Sequence, residues 1–219
     1  MTRNARLSLV VVAVFVLVVG ALFGVTRLTA PAAPDGTEAA AALAARPESH
    51  RLSDPAGATV TFVEFLDFEC EACGAVYPAI EELRAEYGDR VTFVIRYFPG
   101  PGHFNAERSA RAVEAAARQD RLEPMYALMF ETQAQWGEQQ VPMDDRFRGY
   151  AEQLGLDMAR YDADYADPAV ADRVRAEQAD GIALGVQGTP TFFVNGERLE
   201  PRTYDDLTGA LDEALAAGG

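Results

Sequence analysis

The feature that narrows the fold most is a pair of cysteines, Cys70 and Cys73, lying between a strand-like and a helix-like run in a chain with no other cysteine. Two cysteines placed at random in a chain of this length would fall three apart about one time in a hundred, so the spacing carries information. Ahead of the pair, Val60 to Phe65 reads Val-Thr-Phe-Val-Glu-Phe, β-branched and aromatic, the composition of a buried strand. Behind it, Val76, Ile80, Leu83 and Tyr87 recur at helical spacing, with Glu81, Glu82, Arg84 and Glu86 on the opposite face and Gly88 closing the segment. The pair therefore falls at a helix start. Unpaired backbone N–H groups and the positive end of the helix dipole there stabilise a thiolate. This arrangement makes Cys70 the candidate nucleophile and Cys73, one turn deeper, the candidate resolving thiol.

Two blander readings of the pair compete with redox chemistry. A structural disulfide across so short a loop removes little unfolded-state entropy compared with one joining distant elements. A zinc site needs a second pair of ligands. The only histidines, His50 and His103, do not form one at the usual spacing, so no metal is expected. Dithiol exchange needs neither a third ligand nor a cofactor.

Further along, Gly185-Val186-Gln187-Gly188-Thr189-Pro190-Thr191-Phe192-Phe193-Val194-Asn195-Gly196 reads as a loop, a strand opened by proline, and an Asn-Gly hairpin turn. Val91 to Tyr97 alternates apolar and polar residues and supplies the second strand of a β-α-β unit around the motif helix. The intervening stretch from Asn105 to Leu184 reads as helical. Asn105 is expected to cap one helix, and Asp167-Pro168 to cap another with proline at its first position. Met125, Leu128, Met129, Phe130 and Trp136 form an apolar cluster, expected in the core, with a peptide groove lined by Met125, Met129 and Trp136 as the alternative. Thr203 with Asp206 forms a capping-box pattern opening the last helix.

The strand leading into Cys70-x-x-Cys73, the Gly188-Thr189-Pro190-Thr191 loop before a strand, and the long helical segment between them together resemble the DsbA-like thiol-disulfide oxidoreductases of the thioredoxin superfamily. The resemblance runs from Val60 to the C-terminus. It implies an α/β thioredoxin-like fold with a helical insertion over about 104–185, a cis Pro190 facing the Cys70 sulfur, and a Thr189 backbone that binds an extended substrate strand. It implies too that Glu64 is a buried acid beneath the disulfide, where it handles a proton at Cys73; the alternative is a strand-edge glutamate facing water. Between the cysteines, Glu71 and Ala72 replace the proline and histidine of the best-known family pattern. Glu71 and Glu69 are expected to oppose a thiolate on Cys70, against the helix start that favours it. His103 follows a strand end and is a candidate proton carrier, its alternative being a helix-start residue.

Before the domain lies an apolar run, Leu7 to Val25, with Arg3 and Arg6 ahead of it and Arg27 behind. Its length suits a membrane-spanning helix with residues 1–6 inside the cell; a cleaved signal peptide, cut near Ala30-Pro31-Ala32, is the alternative. Residues 26–50, rich in alanine and proline, are expected to form a flexible linker, and residues 51–219 the folded domain. The 19 basic residues, all arginine, against 34 acidic ones give a formal charge of −15, which disfavours nucleic acid. The expected function is disulfide donation outside the cytoplasm to reduced exported proteins, with a quinone-linked membrane oxidase, implied by the resemblance, as reoxidant. A reductase or isomerase of the same fold, or a non-catalytic peptide- or metal-binding module, are the alternatives.

Overall fold

The computed structural model describes residues 36–218; the apolar run at 7–25 lies outside them. A helix α1 (Thr37–Ala44) is followed by strands β1 (His50–Ser53) and β2 (Val60–Leu66), the motif helix α2 (Glu71–Tyr87) and strand β3 (Val91–Tyr97). Five helices come next: α3 (Ala106–Ala117), α4 (Leu122–Glu131), α5 (Asp144–Gln153), α6 (Met158–Ala166) and α7 (Pro168–Ala183), with a 3-10 turn, Gln133–Gln135, between α4 and α5. Strands β4 (Thr191–Val194) and β5 (Glu197–Leu199) and helix α8 (Tyr204–Ala217) complete the chain. The sheet order is β1-β3-β2-β4-β5, with β2 parallel to β3 and the other neighbours antiparallel.

The strand period of two divides β2 between two cores. Val60, Phe62 and Leu66 enter the main core with Cys73, Ile80 and Leu83 of α2 and with the helical insertion. Val63 and Phe65 enter a second core on the other face, with Val94, Phe98, Leu184, Val186 and Phe193. Strand β3 is buried along its whole length rather than alternating with solvent, because its polar face is covered as well.

Arg96 accounts for that cover. Fully buried, it donates to the carbonyls of Leu43 and Ala44 at 2.9 and 2.7 Å and to Asp180 Oδ2 at 2.6 Å, thereby joining α1 and α7 to the sheet. Arg46 adds a two-pronged pair to the same carboxylate, at 2.5 and 2.6 Å. Within the expected linker, then, residues from Thr37 onward belong to the fold. The alanines there give no long apolar stripe, but their small size lets α1 approach closely: a Cβ on Gly196 would lie 2.4 Å from the Ala41 backbone nitrogen. Gly196 and Asn195 both have positive φ, the conformation of the expected hairpin turn.

The insertion is helical as expected, with one local difference. Asn105 precedes α3 but makes no side-chain cap; its amide donates to the Gln139 and Val141 carbonyls and accepts from the Met143 N–H, tying the α3 start to the loop before α5. Asp167 and Thr203 cap α7 and α8 as expected, the latter in a full capping box. Met125, Met129 and Trp136 are completely buried, so they are core and line no groove. Removing Arg96 leaves Asp180 and two buried carbonyls short of a donor, so Arg96→Ala is expected to cost about 3 kcal/mol in urea unfolding and to expose the chain near Ala44 to proteolysis.

Candidate active site

Cys70 is the N-cap residue of α2, with extended backbone (φ −68°, ψ 119°), and Glu71 opens the helix. The Cys70 carbonyl accepts the Gly74 N–H at 3.1 Å, the first bond of the helical ladder. The two cysteines are free thiols 3.8 Å apart. They are not equivalent: Cys70 retains 9% of its surface exposed and Cys73 none. Antiparallel pairing sets Phe65 against Thr191, which carries the preceding loop past the end of β2 to the cysteines. The Thr189 carbonyl accepts from the Cys70 thiol at 3.4 Å, and the Thr189–Pro190 bond is cis.

This geometry separates the two thiols chemically. Hydrogen bonding by the Cys73 thiol, then by the Thr189 side chain and the backbone N–H groups of Cys73 and Ala72, favours the Cys70 thiolate and outweighs desolvation, pulling Cys70 down to about 5. Burial, then the hydrogen bond to Cys70 and the nearby Glu64 charge, push Cys73 far above the ordinary thiol range. These shifts leave Cys70 ionised and Cys73 protonated at neutral pH.

Glu64 lies at the middle of the central strand, opposite Ile95 on one side and Phe192 on the other, and shares the face of β2 that packs on α2. It is 3% exposed, so the strand-edge reading does not hold. Burial, then the charges of Glu81 and Cys70, push its carboxyl up to about 8. A carboxyl there holds a proton at neutral pH, and it lies near enough to Cys73 for its charge to raise that thiol.

Neither of the two acids expected to oppose the thiolate is among the groups that most shift Cys70, whose pKa is lowered. Glu71 is exposed at the first turn of α2. Glu69 is buried and turned toward the insertion, where Oε2 accepts the Asn105 N–H; burial raises its own pKa against that hydrogen bond. His103 is brought near the site but bonds Asp67 Oδ2 through Nδ1 at 2.6 Å rather than a cysteine. Burial opposes the charge on His103, while the hydrogen bond to Asp67 and its negative charge favour it, and the pKa is raised on balance.

Two residues near the cysteines were not among the sequence candidates. Asp67 is buried and accepts from the Glu69 N–H at 2.9 Å and the Gly100 N–H at 2.7 Å as well as bonding His103, so it ties the cysteine loop to the loop after β3. An aspartate between a strand and a helix start is a turn former, which was its available signal. Gln133 reaches the cysteine loop from the insertion and has no comparable signal.

A thioredoxin-like sheet, an asymmetric dithiol at a helix start and a cis-proline loop beside it define a thioredoxin fold carrying a paired-cysteine site. The thioredoxin family model matches residues 49–213, and the chain belongs to that family. Similar solved structures include a thioredoxin-like oxidoreductase from Silicibacter pomeroyi, 25% identical with TM-score 0.66, the match covering 78% of this chain and 94% of that one. Alpha-DsbA1 of Wolbachia pipientis is 17% identical with TM-score 0.68, covering 82% and 96%. Oxidised BdbD of Bacillus subtilis is 22% identical with TM-score 0.65, covering 77% and 93%. Curated relatives bear the name Na(+)/H(+) antiporter NhaA: that of Herminiimonas arsenicoxydans is 38% identical over 162 residues, 74% of this chain but 25% of that protein. One from Mycobacterium sp. (strain KMS) is 33% identical over 219 residues, 98% of this chain and 34% of that protein. The chain thus spans a quarter to a third of the curated relatives it matches.

Because alkylation follows the thiolate, the rate of iodoacetamide capture of Cys70 in the reduced protein is expected to be half-maximal near pH 5 and flat around neutrality. An unperturbed thiol would give a midpoint near about 8.5.

Proposed function

We propose that this chain is an extracytoplasmic protein-disulfide oxidase that passes the Cys70–Cys73 disulfide to reduced exported proteins. The observation that carries the reading is the asymmetry between the thiols, a stabilised thiolate on Cys70 beside a buried, protonated Cys73. A substrate thiolate attacks Cys70 Sγ, the Cys70–Cys73 bond breaks, and its electron pair leaves on Cys73. Cys73 is a poor anion where it lies, so its sulfur must be protonated as the bond breaks. Glu64, with a carboxyl that keeps its proton up to about pH 8, is the donor. A second substrate thiolate then attacks the substrate sulfur of the mixed disulfide and Cys70 leaves as the stable thiolate. The substrate thiolates lose two electrons and the dithiol gains them; one proton ends on Cys73 through Glu64, which is reprotonated from solvent, and Cys70 stays a thiolate.

Thr189 and Pro190 flank Cys70 where a substrate strand would lie, and the Thr189 backbone is the group that binds it. His103 acts as a support for the loops through Asp67 rather than as a proton carrier to sulfur. Reoxidation falls to a quinone-linked membrane oxidase. The Leu7–Val25 run anchors the domain to the membrane with residues 1–6 inside. The antiporter name belongs to relatives that this chain matches over only a quarter to a third of their length, and the present reading rests on the dithiol instead.

Oxidation of a reduced, unfolded model protein tests the proposal. Cys70→Ser is expected to abolish it; Cys73→Ser, given a disulfide-bonded substrate instead, is expected to attack it through the Cys70 thiolate, releasing one substrate thiolate, and to accumulate the mixed disulfide on a non-reducing gel because no Cys73 thiol remains to resolve it. Oxidation at the wild-type rate by Cys70→Ser would reject the enzyme reading.

A further inference from the structure

Gln133 lies in the 3-10 turn after α4, distant in sequence from the cysteines, yet its side-chain nitrogen donates to the Phe68 carbonyl at 2.7 Å and to the Cys70 carbonyl at 2.8 Å. Both partners are acceptors only, so the amide must present its NH2 group to them. The side chain crosses the first turn of α2 closely: a Cβ on Gly74 would lie 2.0 Å from Gln133 Oε1 and 2.8 Å from Cδ. Glycine therefore follows Cys73 because the amide occupies the space a larger residue needs. The Cys70 carbonyl also receives the Gly74 N–H at 3.1 Å, so one peptide group is held from the helix and from the insertion at once. The orientation of that peptide decides where the next N–H groups, those of Ala72 and Cys73, are aimed.

We propose that Gln133 is a positioning residue for thiol-disulfide exchange, its amide locking the Phe68 and Cys70 carbonyls so that the first turn of α2 stays aimed at the Cys70 sulfur. The helical insertion is thereby part of the redox centre, although it supplies no reacting atom. The inference rests on the thiol-disulfide reading above and adds to it a residue that sets the strength of the oxidant.

Two variants approach the contact from opposite sides. Gln133→Met keeps length and volume but removes the donors. Gly74→Ala leaves the amide intact and pushes it aside, while alanine's higher helix propensity supports α2. The readouts are the thiolate absorbance of Cys70 against pH, the equilibrium with glutathione, and the thermal midpoint. Both variants are expected to raise the Cys70 pKa by about one unit, a tenfold loss of thiolate stability that converts to a potential about 30 mV more negative. Gln135→Ala is the control: in the same turn, Gln135 accepts from Arg146 at 3.0 Å, and this variant is expected to leave the Cys70 pKa and the glutathione equilibrium unchanged. Should Gln133→Met fail to fold, Gly74→Ala carries the test. A low wild-type pKa with unshifted variants, whatever their thermal midpoints, overturns the role of Gln133 alone. An ordinary thiol pKa in the wild type overturns the thiolate reading, and this proposal with it.

Discussion

Everything at this site depends on how the first turn of α2 meets one sulfur atom. A helix start leaves backbone N–H groups without internal partners, and a thiolate at the N-cap answers that deficit as water or a side-chain cap would elsewhere. Cys70 occupies the N-cap and makes no ordinary cap bond. Its anion gains from the Cys73 thiol, the Thr189 side chain and the N–H groups of Cys73 and Ala72. The stabilisation belongs only to the reduced, ionised state, because a disulfide carries no charge to be stabilised. Each pKa unit is about 1.4 kcal/mol, or about 30 mV for a two-electron couple, so a thiol held near 5 favours the dithiol over the disulfide, the direction the proposed oxidase requires.

The sheet delivers the other groups to this turn. With β2 central, its register with β4 brings the Thr189–Pro190 loop to Cys70, and its alternation turns Glu64 toward the same face as Cys73. A dry, shielded position raises both Cys73 and Glu64, so the thiol and the carboxyl proposed as its proton donor are matched by one cause, burial. On the opposite face, Arg96 and Arg46 meet Asp180 and fasten α1 against the sheet. That cluster gives the fold a charged, closed back while the chemistry stays on the front.

The strands, the motif helix and the hairpin were legible because each rests on a local signal: β-branched runs, an apolar stripe at helical spacing, an Asn-Gly turn. The start of the fold was not, because α1 packs through alanines, whose close approach depends on Gly196 far away in the chain. Asn105 illustrates the same limit, since its amide serves a loop beyond α4 rather than its own helix. Glu69 was identified by position but not by direction. Its neighbourhood to Cys70 in sequence suggested electrostatic opposition, whereas its side chain is engaged with the Asn105 backbone. Gln133 left no sequence trace at all, since two carbonyl acceptors brought together by tertiary structure have no local pattern.

The most direct test of the claim that a stabilised Cys70 thiolate makes this dithiol an oxidant is the reduction potential of the Cys70–Cys73 couple, measured by equilibration with glutathione at neutral pH. The account predicts a value on the oxidising side of the series, well above about −200 mV and toward about −120 mV. A value near about −270 mV, that of a thioredoxin reductant, would contradict it.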